Sequence, residues 1–321
     1  MNNDKTVFSY RNVIDKKTII SFLVSFAIIA FLIKSIDINE VLKASKNLNV
    51  TLFIMAIVVH YISFLIRGLR WKKLLKNINV NVGTLSVTEM VFLSWFANSI
   101  VPAKMGDVYR SHLLKKETNT PISNTIGTIM IERIFDILLL LVLLSISGFL
   151  LFKNKMPDEI FHSIEIGYIL LVIIMVGLVF FITMKEKMLR IIPEKFHFHF
   201  INFHDSIFDS FSDRKTMLYV IVTTALTWFF ESSRFLLVTK SMGLELAIPA
   251  IIFVVLASSL LTAIPLTPAG LGAVEVSIVF ILGIMGVDTN IAAAVALLDR
   301  LISYWSVLLT GSIVYIYSNQ K

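Results

Sequence analysis

Six long apolar runs constrain this chain more than any other feature. A transmembrane helix needs about 20 mostly apolar residues, roughly 17–25. The runs Thr18 to Ile33, Val50 to about Ile66, Pro121 to Phe152, Ile166 to Met184, Thr216 to about Thr239 and Ile291 to about Tyr317 meet or approach that length. The Thr18 run is flanked by Lys16, Lys17 and Lys34 and follows a basic stretch, as a signal peptide would. No small-x-small cleavage site follows it, so it reads as a retained anchor. Of 321 residues, 56% are hydrophobic and 16% charged, where a soluble domain has about 45–50% and about 25%. A soluble enzyme, a disordered chain and a free nucleic-acid binder are excluded, so no nucleic-acid partner is expected. There is no cysteine, which removes disulfides, thiolate metal sites and cysteine nucleophiles.

Two further apolar segments do not read as simple spans. Met90 to Ala103 is short and ends in Pro102-Ala103-Lys104-Met105-Gly106; Leu246 to Val274 is long and broken by Pro265, Pro268, Gly270 and Gly272. Proline inside a helix removes a hydrogen bond and clashes with the preceding turn. Broken backbone at membrane depth persists only inside protein or beside a wet cavity. Both segments are therefore expected to be re-entrant hairpins.

Charge bias tests this arrangement, because cytoplasmic loops are rich in Lys and Arg. With the N-terminus inside, 20 of the 29 Lys and Arg fall in inside segments, six fall outside, and Arg133, Arg234 and Arg300 lie within spans. The expected fold class is an all-α integral membrane protein of about six transmembrane helices plus two re-entrant hairpins, both termini being cytoplasmic. Eight full spans is the alternative. The formal charge of +7 then belongs to cytoplasmic loops rather than to a nucleic-acid footprint.

Three features recur at nearly one offset. Arg67 and Arg234 are 167 residues apart, Glu132-Arg133 and Asp299-Arg300 are 167 apart, and Pro102-Ala103-x-x-Gly106 and Pro268-Ala269-x-x-Gly272 are 166 apart. Each half then has three spans and one hairpin. Three is odd, so the second half enters the membrane upside down. Inverted repeats are characteristic of secondary transporters, which bind substrate near the midplane at interrupted helices. The expected organisation is a cytoplasmic N-terminal segment at 1–17, a first repeat at 18–160 and a second at 161–321. The second contains a cytoplasmic amphipathic linker helix at 185–215, where Phe196, Phe200, Phe203, Ile207 and Phe211 form one helical face suited to the inner leaflet. His197, His199 and His204 read as its solvated polar face rather than as a metal site.

Ionisable groups inside spans are costly and usually face an interior cavity. Here Arg67 and Arg70 precede Trp71, while Glu132 and Asp136 share a helix face beside Arg133. Glu231 and Arg234 are three apart, Arg300 and Tyr304 share a face, and Asp107, Arg110 and Glu275 follow the Pro-Ala turns. One reading is ion pairing that holds helices in register. The other is a polar cavity matched to a lipid headgroup, since arginine grips phosphate through two parallel hydrogen bonds. A glycine turn opening a half-helix would add free N–H groups for an anion. His60 reads as a hydrogen-bonded structural histidine or a proton relay, and Asn98 as a cap on the first turn.

The strings Arg67-Gly68-Leu69-Arg70-Trp71, Asn98 through Gly106 to Arg110, Glu132-Arg133-Ile134-Phe135-Asp136, Thr267-Pro268 through Gly272 to Glu275, and Asp299-Arg300 with Tyr304-Trp305 resemble the flippase-like, lysylphosphatidylglycerol synthase transmembrane-region family. The resemblance runs in family order from about residue 60 to 310. It implies a multi-pass plasma-membrane protein of the class that moves lipids between leaflets. Well-known relatives join such a domain to a cytosolic aminoacyl-transferase; nothing after Tyr317 has room for one, so synthase activity is not carried over. Other relatives fuse it to glycosyltransferases, which raises polyprenyl phosphates as substrates. Asp107 stands where many relatives have Glu, and Ala269 where many have Gly.

The expected function is flippase-like translocation of an anionic or aminoacylated phospholipid or a polyprenyl-phosphate-linked lipid, without enzymatic activity and without a cofactor or metal. The expected headgroup contacts are Arg67, Arg70, Asn98, Pro102, Gly106, Asp107, Arg110, Glu132, Arg133, Asp136, Pro268, Gly270, Gly272, Glu275, Arg300 and Tyr304. No Walker-type ATP loop is present, so active transport would draw on an ion gradient or a partner. A membrane-embedded lipid transferase and a non-catalytic partner of a separate synthase or glycosyltransferase are the alternatives.

Overall fold

The structure is a computed structural model that describes residues 16–101, 104–152, 158–263 and 267–318. The expected turn residues Pro102, Ala103 and Pro265 lie outside the described residues. Every regular element among the described residues is helical. In chain order these are α1 (Lys16–Lys34), α2 (Ile38–Lys46), α3 (Val50–Asn77), α4 (Thr84–Ile100), α5 (Met105–Thr118), α6 (Ile122–Phe152) and α7 (Asp158–Thr183). Then come α8 (Lys185–Ile191), α9 (His197–Ser212), α10 (Arg214–Ser241), α11 (Ile248–Ala263), α12 (Ala273–Ile284), α13 (Thr289–Arg300), a π-helical segment (Leu301–Ser306) and α14 (Val307–Ser318).

Five of these helices are long and apolar enough to cross a membrane: Val50–Asn77, Ile122–Phe152, Ile164–Thr183, Arg214–Ser241 and the continuous Thr289–Ser318. A sixth arises if α1 and α2, bent by 83° at their junction, count as one span. All six apolar runs read from the sequence are helical. The helices α4, α11 and α12, of 17, 16 and 12 residues, rise only about 26, 24 and 18 Å at 1.5 Å per residue. None alone matches the ~30 Å hydrocarbon layer.

The helices gather into two compact units. One comprises the described residues of Met1–Ile62, Phe92–Tyr109 and Phe230–Lys321, the other those of Ser63–Val91 and Arg110–Phe229. In the first, α11 and α12 pack on each other, α12 packs on α13 and on α1, and α2 packs across α13. The helix α2 was not anticipated from the sequence. Asp37 caps it, accepting from the N–H of Asn39 at 2.8 Å, and its buried Val41 sits on Ala293 and Ala294. Alanines at 292–294 and 296 are almost wholly buried; their small side chains let a neighbouring helix approach closely. The Asp37 N–H donates to Asn290 Oδ1 at 2.8 Å, fixing the bend to the start of α13.

In the second unit, α9 packs along α6 and touches α7. The crossing is tight at Gly127, where an added Cβ would lie 2.8 Å from Ser206 Cβ and 2.9 Å from Phe203 O. Phe135 and Phe211 stack at 6.1 Å, and Ile207 is fully buried. The apolar face of the linker helix thus lies against protein, while Phe196, Phe198 and Phe208 stay exposed. His204 differs from its expected solvated setting. It is buried, with Nδ1 2.9 Å from Asp205 Oδ1 and Nε2 3.2 Å from Ile182 O, because the last turn of α7 packs against it through Phe181 and that carbonyl. Phe200, Phe203 and Phe181 complete an aromatic cluster there.

The arms of the α4–α5 hairpin run antiparallel. Ser94 Oγ donates to Asp107 Oδ1 at 3.3 Å in the first unit, and Ser86 Oγ donates to Glu117 Oε2 at 2.6 Å in the second. At Gly106 the arms meet so closely that a Cβ would overlap Ser94 O and the Asn98 amide. Gly106→Ala is expected to cost about 1–3 kcal/mol through overpacking. Gly283→Ala, where nothing lies within 4 Å of the added carbon, serves as the tolerated control; thermal unfolding in detergent compares the two.

Outside the spans, burial pushes the Asp205 carboxyl upward, but hydrogen bonds from Lys185, at 2.6 Å, and from His204 outweigh it and hold the group below the usual carboxylate range. A depressed folded pKa contributes stability above the unfolded value that is lost as pH falls through the folded one. Docking of α9 is therefore expected to loosen below about pH 4. Hydrogen exchange of the α9 amides, corrected for intrinsic pH dependence, should show this in the native chain and not in Asp205→Asn.

Candidate functional site

Among the described residues, each unit contains a buried network that ties three helices together with charge. In the second unit α3 supplies Arg70. Its Nε donates to Glu132 Oε1 at 3.1 Å, its Nη1 to Asp136 Oδ1 at 2.6 Å and Thr224 Oγ1 at 2.8 Å, and its Nη2 to Asp136 Oδ2 at 3.3 Å. Spacing of four brings Glu132 and Asp136 to one face of α6, where a single guanidinium spans both. Arg110 of α5 reaches the other oxygen of Glu132, Nη2 to Oε2 at 2.8 Å. Its guanidinium also lies 4.4 Å over the Trp71 ring, and that indole donates to Thr128 Oγ1 at 3.1 Å. Arg70, Arg110 and Glu132 are all buried.

Arg133 stands one residue along α6 from Glu132, about 100° around the helix. Its side chain is 28% exposed, against 3% for Arg70 and Arg110, and its Nη1 lies 3.6 Å from Asp136 Oδ2. Arg67 is buried one turn before Arg70. Of the two following residues, Gly68 admits Thr88 of α4 so closely that a Cβ would overlap the threonine hydroxyl.

In the first unit α10 supplies Arg234, which donates to the Asp299 carboxylate of α13 and pairs with Glu231 Oε2 at 3.2 Å. Arg300 donates through Nε to Glu275 Oε1 of α12 at 3.0 Å and through Nη2 to Ala269 O at 3.1 Å. The second oxygen of Glu275 accepts the Gly272 N–H at 2.8 Å, closing the start of α12. The turn itself is left-handed at Ala269 (φ 44°), Gly270 (φ 73°) and Gly272 (φ 86°). Glycine adopts that region freely, whereas alanine does so at a cost. Tyr304 lies 4.9 Å from the Arg300 guanidinium, and its hydroxyl donates to Ser99 O at 2.9 Å.

The match to the Lysylphosphatidylglycerol synthase TM region covers residues 18–311. The chain belongs to that family. It is an integral, multi-pass membrane protein. It is 41% identical to a UPF0104 membrane protein of Methanocaldococcus jannaschii over 221 residues, covering 68% of this chain and 93% of the relative. It is 25% identical to a UPF0104 membrane protein of Pyrococcus horikoshii, covering 95% and 98%. The glycosyltransferase AglD of Haloferax volcanii is 27% identical over 116 residues, 36% of this chain and 19% of AglD.

Most residues of both networks lie in the strings singled out from the sequence; Thr224, Glu231 and Arg234 lie outside them. Arg70, Arg110, Glu132, Arg133 and Asp136 come together in the second unit. Arg300, Glu275, Tyr304, Pro268, Gly270 and Gly272 do so in the first. Asn98 caps its own hairpin, its Oδ1 accepting the Gly106 N–H at 2.8 Å, and Asp107 receives Ser94. His60 is buried beside Tyr61. Sequence reasoning missed Thr224 as an Arg70 partner; its signal is a hydroxyl face on α10 shared with Thr223 and Thr227. It also missed Tyr61, whose hydroxyl lies 3.0 Å from Ser306 Oγ and 2.9 Å from Thr310 Oγ1. Among the described residues no group of three His, Asp or Glu is placed to hold a metal.

Removing one partner of a buried ion pair strands the other, at about 3–5 kcal/mol. Arg70→Ala is expected to lower stability by that amount. Arg70→Lys should recover only part of it, because an ammonium cannot span Glu132 and Asp136 as a fork does. Ala269→Gly should instead gain about 1 kcal/mol by relieving the left-handed alanine. Unfolding midpoints in detergent measure all three.

Proposed function

We propose that this protein translocates a phosphate-bearing lipid between the leaflets of the plasma membrane, with both termini cytoplasmic and no enzymatic step. The observation that carries the reading is the concentration of charge in both buried networks, much of it on the long apolar helices α6 and α13–α14. Tethering accounts for the enclosed arginines Arg70, Arg110 and Arg300 but not for Arg133, whose side chain is 28% exposed. Charge at membrane depth marks a pathway by default. The phosphate would meet Arg133, the more exposed guanidinium of its network, while Arg70 and Arg110, engaged by carboxylates, hold the helices that present it. Glu132, Asp136 and Glu275 balance the arginines.

The inverted-repeat reading belongs to the same proposal. Of the residues matched at that offset, Arg234 meets Asp299 in the first unit, while in the second Glu132 meets Arg70, one turn after Arg67. In each unit the helix after the Pro-Ala turn is joined to the third span, through Arg110–Glu132 and, with the signs exchanged, through Glu275–Arg300. The third residue of each Pro-Ala-x-x-Gly string is left-handed, Lys104 at φ 54° and Gly270 at φ 73°. A relative named as a glycosyltransferase favours polyprenyl phosphates within the substrate class. It also supports a second reading, a non-catalytic partner of a separate glycosyltransferase or synthase.

Purified protein in vesicles, given labelled phospholipids and polyprenyl phosphates, should accelerate leaflet exchange. Arg133→Ala should cut the rate at least about tenfold, the scale of one lost charge-assisted hydrogen bond of about 1.5–3 kcal/mol. Its unfolding midpoint should barely move, because a partly exposed pair contributes at most about 1 kcal/mol. An unchanged rate would remove Arg133 from the site. No exchange of any lipid by the native chain would sink the translocase, and co-purification with a lipid-modifying enzyme would then favour the partner reading.

A further inference from the structure

The long last span is not a uniform α-helix. Between α13 and α14 it widens into the π-helical segment Leu301–Ser306, a geometry found mostly as single turns at functional positions. The residue before the segment and a residue within it reach different hairpins. Arg300 holds the second hairpin through Ala269 O and through Glu275, which in turn closes Gly272. Tyr304 holds the first hairpin at Ser99 O, 2.9 Å away. Ser99 lies in the last turn of α4, where helix carbonyls lack an intrahelical donor. The tyrosine hydroxyl therefore supplies a bond that the fold needs, and both Ser99 and Tyr304 are buried. Below Tyr304 the segment is gripped by Tyr61, whose hydroxyl meets Ser306 and Thr310.

We propose that the π segment is a latch with two separable ends: Arg300 fixes the second hairpin and Tyr304 fixes the first. The separation follows from helix geometry. Residues are spaced about 100° apart around an α-helix, so tightening the π turn to α rotates the residues within and after it relative to those before it, by up to roughly one residue. Tyr304 would leave Ser99, whereas Arg300, which precedes the π turn, would keep Glu275 and Ala269. One hairpin is released while the other stays fixed. This deepens the translocase reading by naming what alternates, and only its consequence for transport rests on that reading.

The chain has no cysteine, so single reporters have no background. Val101→Cys reports on the end of α4 and Thr267→Cys on the second turn; the readout is the maleimide labelling rate in vesicles. Tyr304→Phe, which removes only the hydroxyl, should raise labelling at position 101 roughly two- to tenfold, the range of one lost hydrogen bond, and leave position 267 unchanged. Arg300→Lys should do the reverse. Unchanged labelling at 101, or an equal rise at both reporters, overturns the latch. Should Tyr304→Phe fail to fold, Tyr61→Phe loosens the same segment from its far end. Raised labelling at 101 then supports the latch and no change overturns it. Leaflet exchange in the same vesicles is a separate reading: selective labelling without exchange by any variant keeps the latch and removes the transport function.

Discussion

A guanidinium withdrawn from water must be met by acceptors or opposite charge, and that requirement shapes both buried networks of this molecule. The cost of an unpaired ion at low dielectric is several kcal/mol even after relaxation. Arg70 meets it with two carboxylates and a threonine from two other helices. Arg300 meets it with a carboxylate and a backbone carbonyl. Lipid offers no hydrophobic drive to bring helices together, so these polar contacts, with glycine and alanine at the tightest crossings, specify which helices are neighbours.

The two arginine types in the second unit show how one helix divides labour. Glu132 and Arg133 are adjacent in sequence, yet the first is buried and the second partly open. The helical rotation between them turns one toward the scaffold and the other toward whatever occupies the adjoining space. A network built this way keeps its helices in place whatever occupies that space.

The apolar runs of 20 or so residues made the spans legible, because only a helix satisfies its own backbone in hydrocarbon. The Pro and Gly clusters marked the breaks, and four-residue spacing put Glu132 and Asp136 on one face. What periodicity lacks is the identity of the partner across a gap. Nothing in the sequence distinguishes a face covered by lipid from one covered by α6, so the docking of α9 and the burial of His204 were not readable. The pairing of Arg300 with Glu275 and of Tyr304 with Ser99 is likewise tertiary. The π turn that sets the Tyr304 direction has no composition signal. α2 was overlooked because its three charged residues suggested an outside loop, although Asp37 and Val41 carried a cap and an apolar face.

The clamp between Asp37 and Asn290 spans 253 residues, and this sets an order of assembly. During synthesis the second unit can complete its charge network once Thr224 has emerged. The first unit cannot, because its earliest helices find their lateral partners only in α12, α13 and the turn before α12. At about 5–20 residues per second, α1 and α2 wait tens of seconds, already in contact with lipid but without a protein neighbour. A ribosome stalled shortly after α10 would therefore leave a nascent chain with one half consolidated and the other still open to capture by insertion chaperones.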